Sequence, residues 1–224
     1  MNPQVHLVTS FQKLVQTSFN GSVNALAWKR QLQGDFEEVL RQFPFTGNMI
    51  TIEPESLLQL HLSDNGQQAR EAILNDWNLL QQHGAQPVLN LISHYERDEQ
   101  SIFPTDVYSF HVDRSPVATD TFLCTYFGAS SQIISNEGCE RMIDVPEIRA
   151  ALQEEYGGEE SGFEQFLMEH FYDLHYRAKP NATPFHLGNG WLWRLAIDHP
   201  EQQVPPCIHR APIENGHPRL LLIC

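Results

Sequence analysis

The hydrophobic pattern of this chain changes period near residue 100, and that change limits the architectures open to it. Before it, apolar residues recur at the 3.6-residue spacing of amphipathic helices. Residues 22–43 carry Leu26, Trp28, Leu32, Phe36, Val39, Leu40 and Phe43 near that spacing, and Pro44 and Gly47 then break it. A second helix is expected over residues 66–83, with Ala69, Ile73, Trp77 and Leu80 on one face and Gly84 at its end. Residues 87–95 read as a short helix or a strand.

Beyond residue 100 the texture is that of strands. Residues 106–113 (DVYSFHVD) and 121–127 (TFLCTYF) are rich in aromatic and β-branched side chains, punctuated by Pro116 and Gly128. Helical spacing returns between residues 145 and 177, through Ile148, Leu152, Phe163, Phe166, Leu167 and Phe171. Strand texture resumes over residues 190–197, 206–209 and 219–224. Strands interrupted by one helical stretch, behind a helical first half, predict an α+β fold. The expected form is a double-stranded β-helix (a jelly-roll or cupin-like barrel) buttressed by N-terminal and inserted helices. No repeat, low-complexity tract or Gly/Ser linker divides the chain, so residues 1–224 are read as one domain. Residues 1–100 are expected to be mainly helical support, and residues 101–224 a metal-binding barrel with a helical insertion at about 137–184.

Charge narrows the partners. The formal net charge is −14, from 28 acidic and 14 basic side chains, which disfavours nucleic acid and anionic membranes. No apolar run approaches the roughly 18 residues a spanning helix requires, and the start has no basic segment leading into an apolar one. Cys124, Cys139, Cys207 and Cys224 stand far apart without CxxC pairing, so reduced thiols and a cytoplasmic setting are expected. The expected partner is a small molecule; oligomeric state is left open.

The chemistry-bearing residues lie in the second half. In an extended segment alternate side chains share a face, so His111 and Asp113 point the same way and Val112 points away. An imidazole and a carboxylate side by side chelate one divalent ion, and a distant histidine completes a facial set that leaves sites open. Pro205 and Pro206 lead an extended approach to His209, and a histidine with a polar role is natural at a strand end, as a structural histidine or as the third ligand. Arg219 heads the apolar run RLLLIC; a guanidinium there needs an anionic partner, and its planar fork suits a carboxylate. His170 and His175, five apart, are expected on the solvated face of a helix. Cys207 shares parity with His209 and is expected to be core, Trp191 and Trp193 to be barrel packing, and His217 to stand near a cavity mouth.

FHVD at residues 110–113, IHRAP at 208–212 and an arginine ten residues after His209 resemble the 2-oxoglutarate/Fe(II)-dependent dioxygenase superfamily, particularly its phytanoyl-CoA-dioxygenase-like branch. The segments FHVDRSPVATDTFLCTYFGAS and VPPCIHRAPIENGHPRLLLI are also similar to a bacterial family of single-domain proteins with no assigned reaction. The likeness covers roughly residues 101–224. It implies Fe(II) held by His111, Asp113 and His209, with Arg219 on the far carboxylate of 2-oxoglutarate and a hydroxyl of Tyr126 or Thr125 as a second anchor. Dioxygen would be the co-reactant, succinate and carbon dioxide the products, and hydroxylation of a small molecule the outcome. A cupin-like metalloprotein or metal sensor that does not use 2-oxoglutarate is the competing expectation. Histidine and carboxylate ligands also accept zinc or nickel.

Overall fold

The computed structural model describes residues 2–44, 47–98, 100–213 and 215–224. Two sheets carry the architecture. The larger has seven strands in the order β1 (Val5–Val8), β2 (Ala25–Trp28), β11 (Leu192–Ala196), β6 (Asp120–Phe127), β13 (Arg219–Ile223), β4 (Val88–Ile92) and β3 (Met49–Ile52). The smaller has six, in the order β10 (Phe185–His186), β7 (Gln132–Ile133), β12 (His209–Arg210), β5 (Phe110–His111), β9 (His175–Ala178) and β8 (Cys139–Arg141). Neighbours in both sheets are antiparallel, except β1 and β2.

The central strands are apolar on both faces, as strands covered on both sides must be. Leu220 and Leu222 of β13 enter one apolar layer and Leu221 enters another. The first layer lies under the helices α1 (Phe11–Gln16), α2 (Phe36–Arg41), α3 (Pro54–Leu58) and α4 (Asp64–Gln82). The second lies between the sheets, where Leu123, Trp193 and Leu221 meet Ile133 of β7. The helices α5 (Pro146–Tyr156) and α6 (Phe163–Glu169) form a separate small core with Phe103. Among the described residues no helix is long and apolar enough to cross a membrane.

The expected helix at residues 66–83 is α4. Ser63 starts it by accepting from the backbone N–H of Gly66 at 3.2 Å, Ala69, Ile73, Trp77 and Leu80 are buried along it, and Gly84 takes φ +95° just past it. The ambiguous stretch at 87–95 is the strand β4.

Three expectations are corrected. Residues 22–43 are not one helix: Ala25 and Ala27 face the inter-sheet layer while Leu26 faces the helices. That continuous apolar run is a doubly covered strand, which periodicity alone confuses with a buried helix. Only Phe36–Arg41 is helical, started by the Asp35 side chain on Glu38 N at 2.9 Å. The first hundred residues are consequently not mainly helical support; they supply β1 to β4, more than half of the seven-stranded sheet. Residues 106–113 are likewise not one strand. The Asp106 carboxylate accepts from Tyr108 N at 2.9 Å and its carbonyl accepts from Ser109 N at 3.1 Å, a turn that delays the strand to Phe110. The stretch at 137–184 carries its helices between two strands, β8 and β9, which belong to the six-stranded sheet.

Candidate metal centre

Short as it is, β5 sits between two strands that each place a histidine opposite His111. His209 of β12 is its direct partner on one side and His175 of β9 on the other. Directly opposed residues of an antiparallel pair share a face, so three imidazoles form a row across the sheet. Ring centroids are 4.6 Å apart for His111 and His209, and 5.8 Å for His111 and His175. Asp113, two residues beyond His111, returns to the same side.

Backbone carbonyls set the tautomers. His111 Nδ1 lies 2.9 Å from the carbonyl of Ser109, and His209 Nδ1 lies 3.2 Å from the carbonyl of Cys207. A carbonyl only accepts, so both rings carry their proton at Nδ1 and present the Nε2 lone pair. Those lone pairs meet Asp113: His111 Nε2 is 3.9 Å from Oδ1 and His209 Nε2 is 3.6 Å from Oδ2. One donor atom from each of the three residues lies within 4.8 Å of the others. Two donors each about 2.1 Å from one ion stand at most about 4.2 Å apart, a limit that the 3.9 and 3.6 Å contacts to Asp113 meet. Thr121 of β6 holds the carboxylate from behind, its hydroxyl donating to Asp113 Oδ2 at 2.5 Å.

The protonation states suit a cation. Burial, and then the charge of His209, pull His111 down to about 4, so its lone pair is free at neutral pH. Burial works to raise Asp113, but the His209 charge, the Thr121 hydroxyl and His111 outweigh it and hold the group below its ordinary value. A neutral imidazole at His111 and an ionised carboxylate at Asp113 are forms that bind metal.

Arg219 is 5% exposed. Its Nη2 donates to Ser131 Oγ at 3.1 Å and Thr125 Oγ1 at 3.4 Å. Nε and Nη1 are buried without a partner among the described residues, and no carboxylate there forms an ion pair with it. Burial draws its pKa down. Gly128, at φ +84°, lets the chain pass: a Cβ there would stand 2.6 Å from the Pro218 carbonyl oxygen and 2.9 Å from Arg219 Cα.

The inner face of β6 links the two features, Thr121 touching Asp113 and Thr125 touching Arg219, about 13 Å apart along the strand. They nevertheless line different clefts. His111 and Asp113 share theirs with Val107, Phe171, Leu174 and His175. Arg219 shares its own with Tyr95, Tyr108, Pro212 and His217, so His217 does stand at a cavity wall.

Strand parity separates Thr125 from Tyr126. Thr125 faces Arg219, whereas the Tyr126 hydroxyl donates to Asp76 Oδ2 at 2.7 Å on the helical side of the sheet. Tyr126 is therefore withdrawn as an anchor on the metal side. Cys207 is buried in the inter-sheet layer, where burial and the Asp113 charge push its thiol far up. Trp193 is also in that layer, its Nε1 donating to the Leu187 carbonyl at 2.9 Å. His170 and His175 do not share a helix: α6 ends at Glu169, Phe171 turns left-handed at φ +59°, and His175 opens β9. His175 was missed as a site residue; the alternation His175-Tyr176-Arg177 is the one local sign of a strand there.

Compared with known proteins, the chain matches no family model, no curated protein and no solved structure.

Proposed function

We propose that the chain is an Fe(II)- and 2-oxoglutarate-dependent oxygenase acting on a small molecule, built on a jelly-roll-like pair of sheets. One observation carries this reading. A two-histidine, one-carboxylate cluster and a buried arginine, two of whose nitrogens have no partner among the described residues, line two clefts joined by the inner face of one strand. His111, Asp113 and His209 would hold the metal on one side and leave its remaining sites open. Arg219 would take an anionic carboxylate on its free Nε and Nη1, with the Thr125 and Ser131 hydroxyls already orienting the guanidinium. Bound iron with 2-oxoglutarate and dioxygen supplies the oxidising power, with succinate and carbon dioxide as products. The chain's own part is placement: carbonyls hold both imidazole tautomers, and Thr121 holds the carboxylate. Separated free cysteines accord with a reducing, cytoplasmic setting.

The test is anaerobic. Fe(II) and 2-oxoglutarate added to the apoprotein should give the visible metal-to-ligand charge-transfer band, and aerobic turnover should give succinate. Asp113→Ala and His209→Ala should each weaken iron at least 100-fold with the far-UV circular dichroism unchanged. Arg219→Ala should keep iron and weaken 2-oxoglutarate on the order of 100-fold, the size of losing a buried charge-pair contact. Undiminished iron binding in the first two variants rejects the assignment.

A second reading, a cupin-like metal-binding or sensing protein without 2-oxoglutarate turnover, is favoured by the division of the triad and Arg219 between two clefts. It predicts stoichiometric metal binding with no charge-transfer band and no succinate.

A further inference from the structure

A cavity of about 760 Å3 lies on the helix-covered face of the seven-stranded sheet and shares no lining residue with either of the two clefts. It is framed by the turn after α1 (residues 18–19), the chain leaving α4 (83–86), the start of β6 (118–122) and the loop after β11 (199–203). Its volume is that of a small-molecule site, roughly 300 to 1,000 Å3. The metal reading makes no use of it.

Arg194 and Asp120 form the centre of its lining. Arg194 Nε donates to Asp120 Oδ2 at 2.7 Å. Its Nη1 lies 3.1 to 3.2 Å from the carbonyl oxygens of Leu14, Val15 and Thr17, which the end of α1 leaves without helical partners. The Phe19 ring stands 4.8 Å from the guanidinium carbon. The pair is thus held in place and carries no net charge. Two of its atoms remain unspent: Arg194 Nη2 and Asp120 Oδ1 bond nothing among the described residues, and neither is a sealed buried atom. One is a donor and the other an acceptor.

The rim repeats that mixture. Gln203 spends its Nε2 on the Glu201 carbonyl at 3.0 Å, which leaves Oε1 as an acceptor. Gln86 is exposed, and its amide, unpaired among the described residues, offers both functions. Gln202 is closed into its own loop, donating to the Ile197 carbonyl and accepting from Gln203 N and Val204 N. The exposed His83 ring meets Phe122 edge-on at 5.7 Å and gives the wall an apolar face. Glu201, exposed at the rim, is the one other acidic side chain in the lining. A cation would use only the acceptors of this set, and an anion only the donors. A hydroxyl donates and accepts at one atom. Several hydroxyls on neighbouring carbons, with C–H faces to lie on Phe19 and His83, answer the whole set.

We propose that this cavity is a binding site for a neutral saccharide, with one ligand hydroxyl accepting from Arg194 Nη2 and an adjacent one donating to Asp120 Oδ1. The site is independent of the metal centre and stands or falls without it.

The probes are four neutral trisaccharides: maltotriose, cellotriose, mannotriose and triacetylchitotriose. The controls are the cationic, deacetylated chitotriose and the anionic trigalacturonate. Each is titrated calorimetrically into the full chain at neutral pH. At least one neutral probe should saturate with a Kd of about 1 mM or tighter, and should shift the Arg194 Nε–H signal in a 1H–15N spectrum. Both charged controls should bind more weakly than that probe. Gln86→Ala combined with Gln203→Ala, both at exposed positions, should cost roughly 10-fold in affinity, the size of two hydrogen bonds. Asp120→Ala should abolish binding; if its circular dichroism shows loss of fold, the glutamine pair carries the test. No saturation by any neutral probe, tighter binding of a charged control, or unaltered affinity in the double glutamine variant overturns the proposal.

Discussion

Arg30, partly buried, and Arg219, buried, stand beside β6 on opposite faces of the seven-stranded sheet. Arg30 is closed within the fold. Its Nη1 donates to Asp76 Oδ1 at 2.6 Å, Nη2 donates to Asp76 Oδ2, and Nε donates to the Gly190 carbonyl at 2.8 Å. The Trp28 ring lies 4.3 Å from its guanidinium carbon, and Asp76, fully buried, also takes the Tyr126 hydroxyl. Burial works to lower the Arg30 pKa, but the Asp76 hydrogen bond and charge raise it. Arg219 differs: burial lowers its pKa, and among the described residues Nε and Nη1 have no hydrogen-bond partner. A buried ion pair is neutral to folding at best, and a buried lone charge opposes it. One arginine is thus spent on holding α4 to the sheet, while the other leaves a charge directed at whatever enters. Where a side chain lowers stability without a structural return, function is the expected reason.

The largest effect should separate the two directly. Arg30→Met strands the Asp76 carboxylate and should remove roughly 3 to 5 kcal/mol of stability in denaturant unfolding; a loss under about 1 kcal/mol would make the two arginines equivalent.

A smaller effect distinguishes the inner face through acid. Burial holds His175 at about 4 in the folded protein, against an ordinary value near 6.5. Between those values the unfolded chain binds more protons. Stability is therefore fully present above pH 6.5 and falls as pH drops towards 4, by roughly 3 kcal/mol for one such group. In the metal-free protein, His175→Gln should lessen the slope across that window and leave the share of His111, which burial also holds at about 4; an unchanged slope would assign the acid sensitivity elsewhere.

The smallest shift carries the opposite sign. Arg219→Met should leave metal-free stability unchanged or raise it by roughly 1 to 2 kcal/mol, read as a higher denaturation midpoint. A loss of more than about 2 kcal/mol would show that Arg219 is tied into the fold as firmly as Arg30.

Parts of the fold and site were legible in the chain because they are properties of single segments. The 3.6-residue recurrence of Ala69, Ile73, Trp77 and Leu80 marks α4, and the β-branched and aromatic run at 121–127 marks β6. His111 and Asp113 share a face because extended chain alternates every two residues. Other parts resisted for equally local reasons. ALAW in β2 is apolar on both sides and so carries no strand alternation. Phe171 takes a left-handed turn that nothing in its neighbours announces, so His175 was read onto a helix.

The amino-acid sequence alone determined the elements with one clear apolar face, the pairing of a histidine with a carboxylate, and an acidic chain with a guanidinium heading an apolar run. Tertiary structure alone decided that His175 stands opposite His111, that Thr125 and not Tyr126 meets Arg219, and that among the described residues no carboxylate pairs with Arg219. The physical reason is range: periodicity belongs to a segment, whereas register, sheet face and charge compensation depend on residues brought from far along the chain.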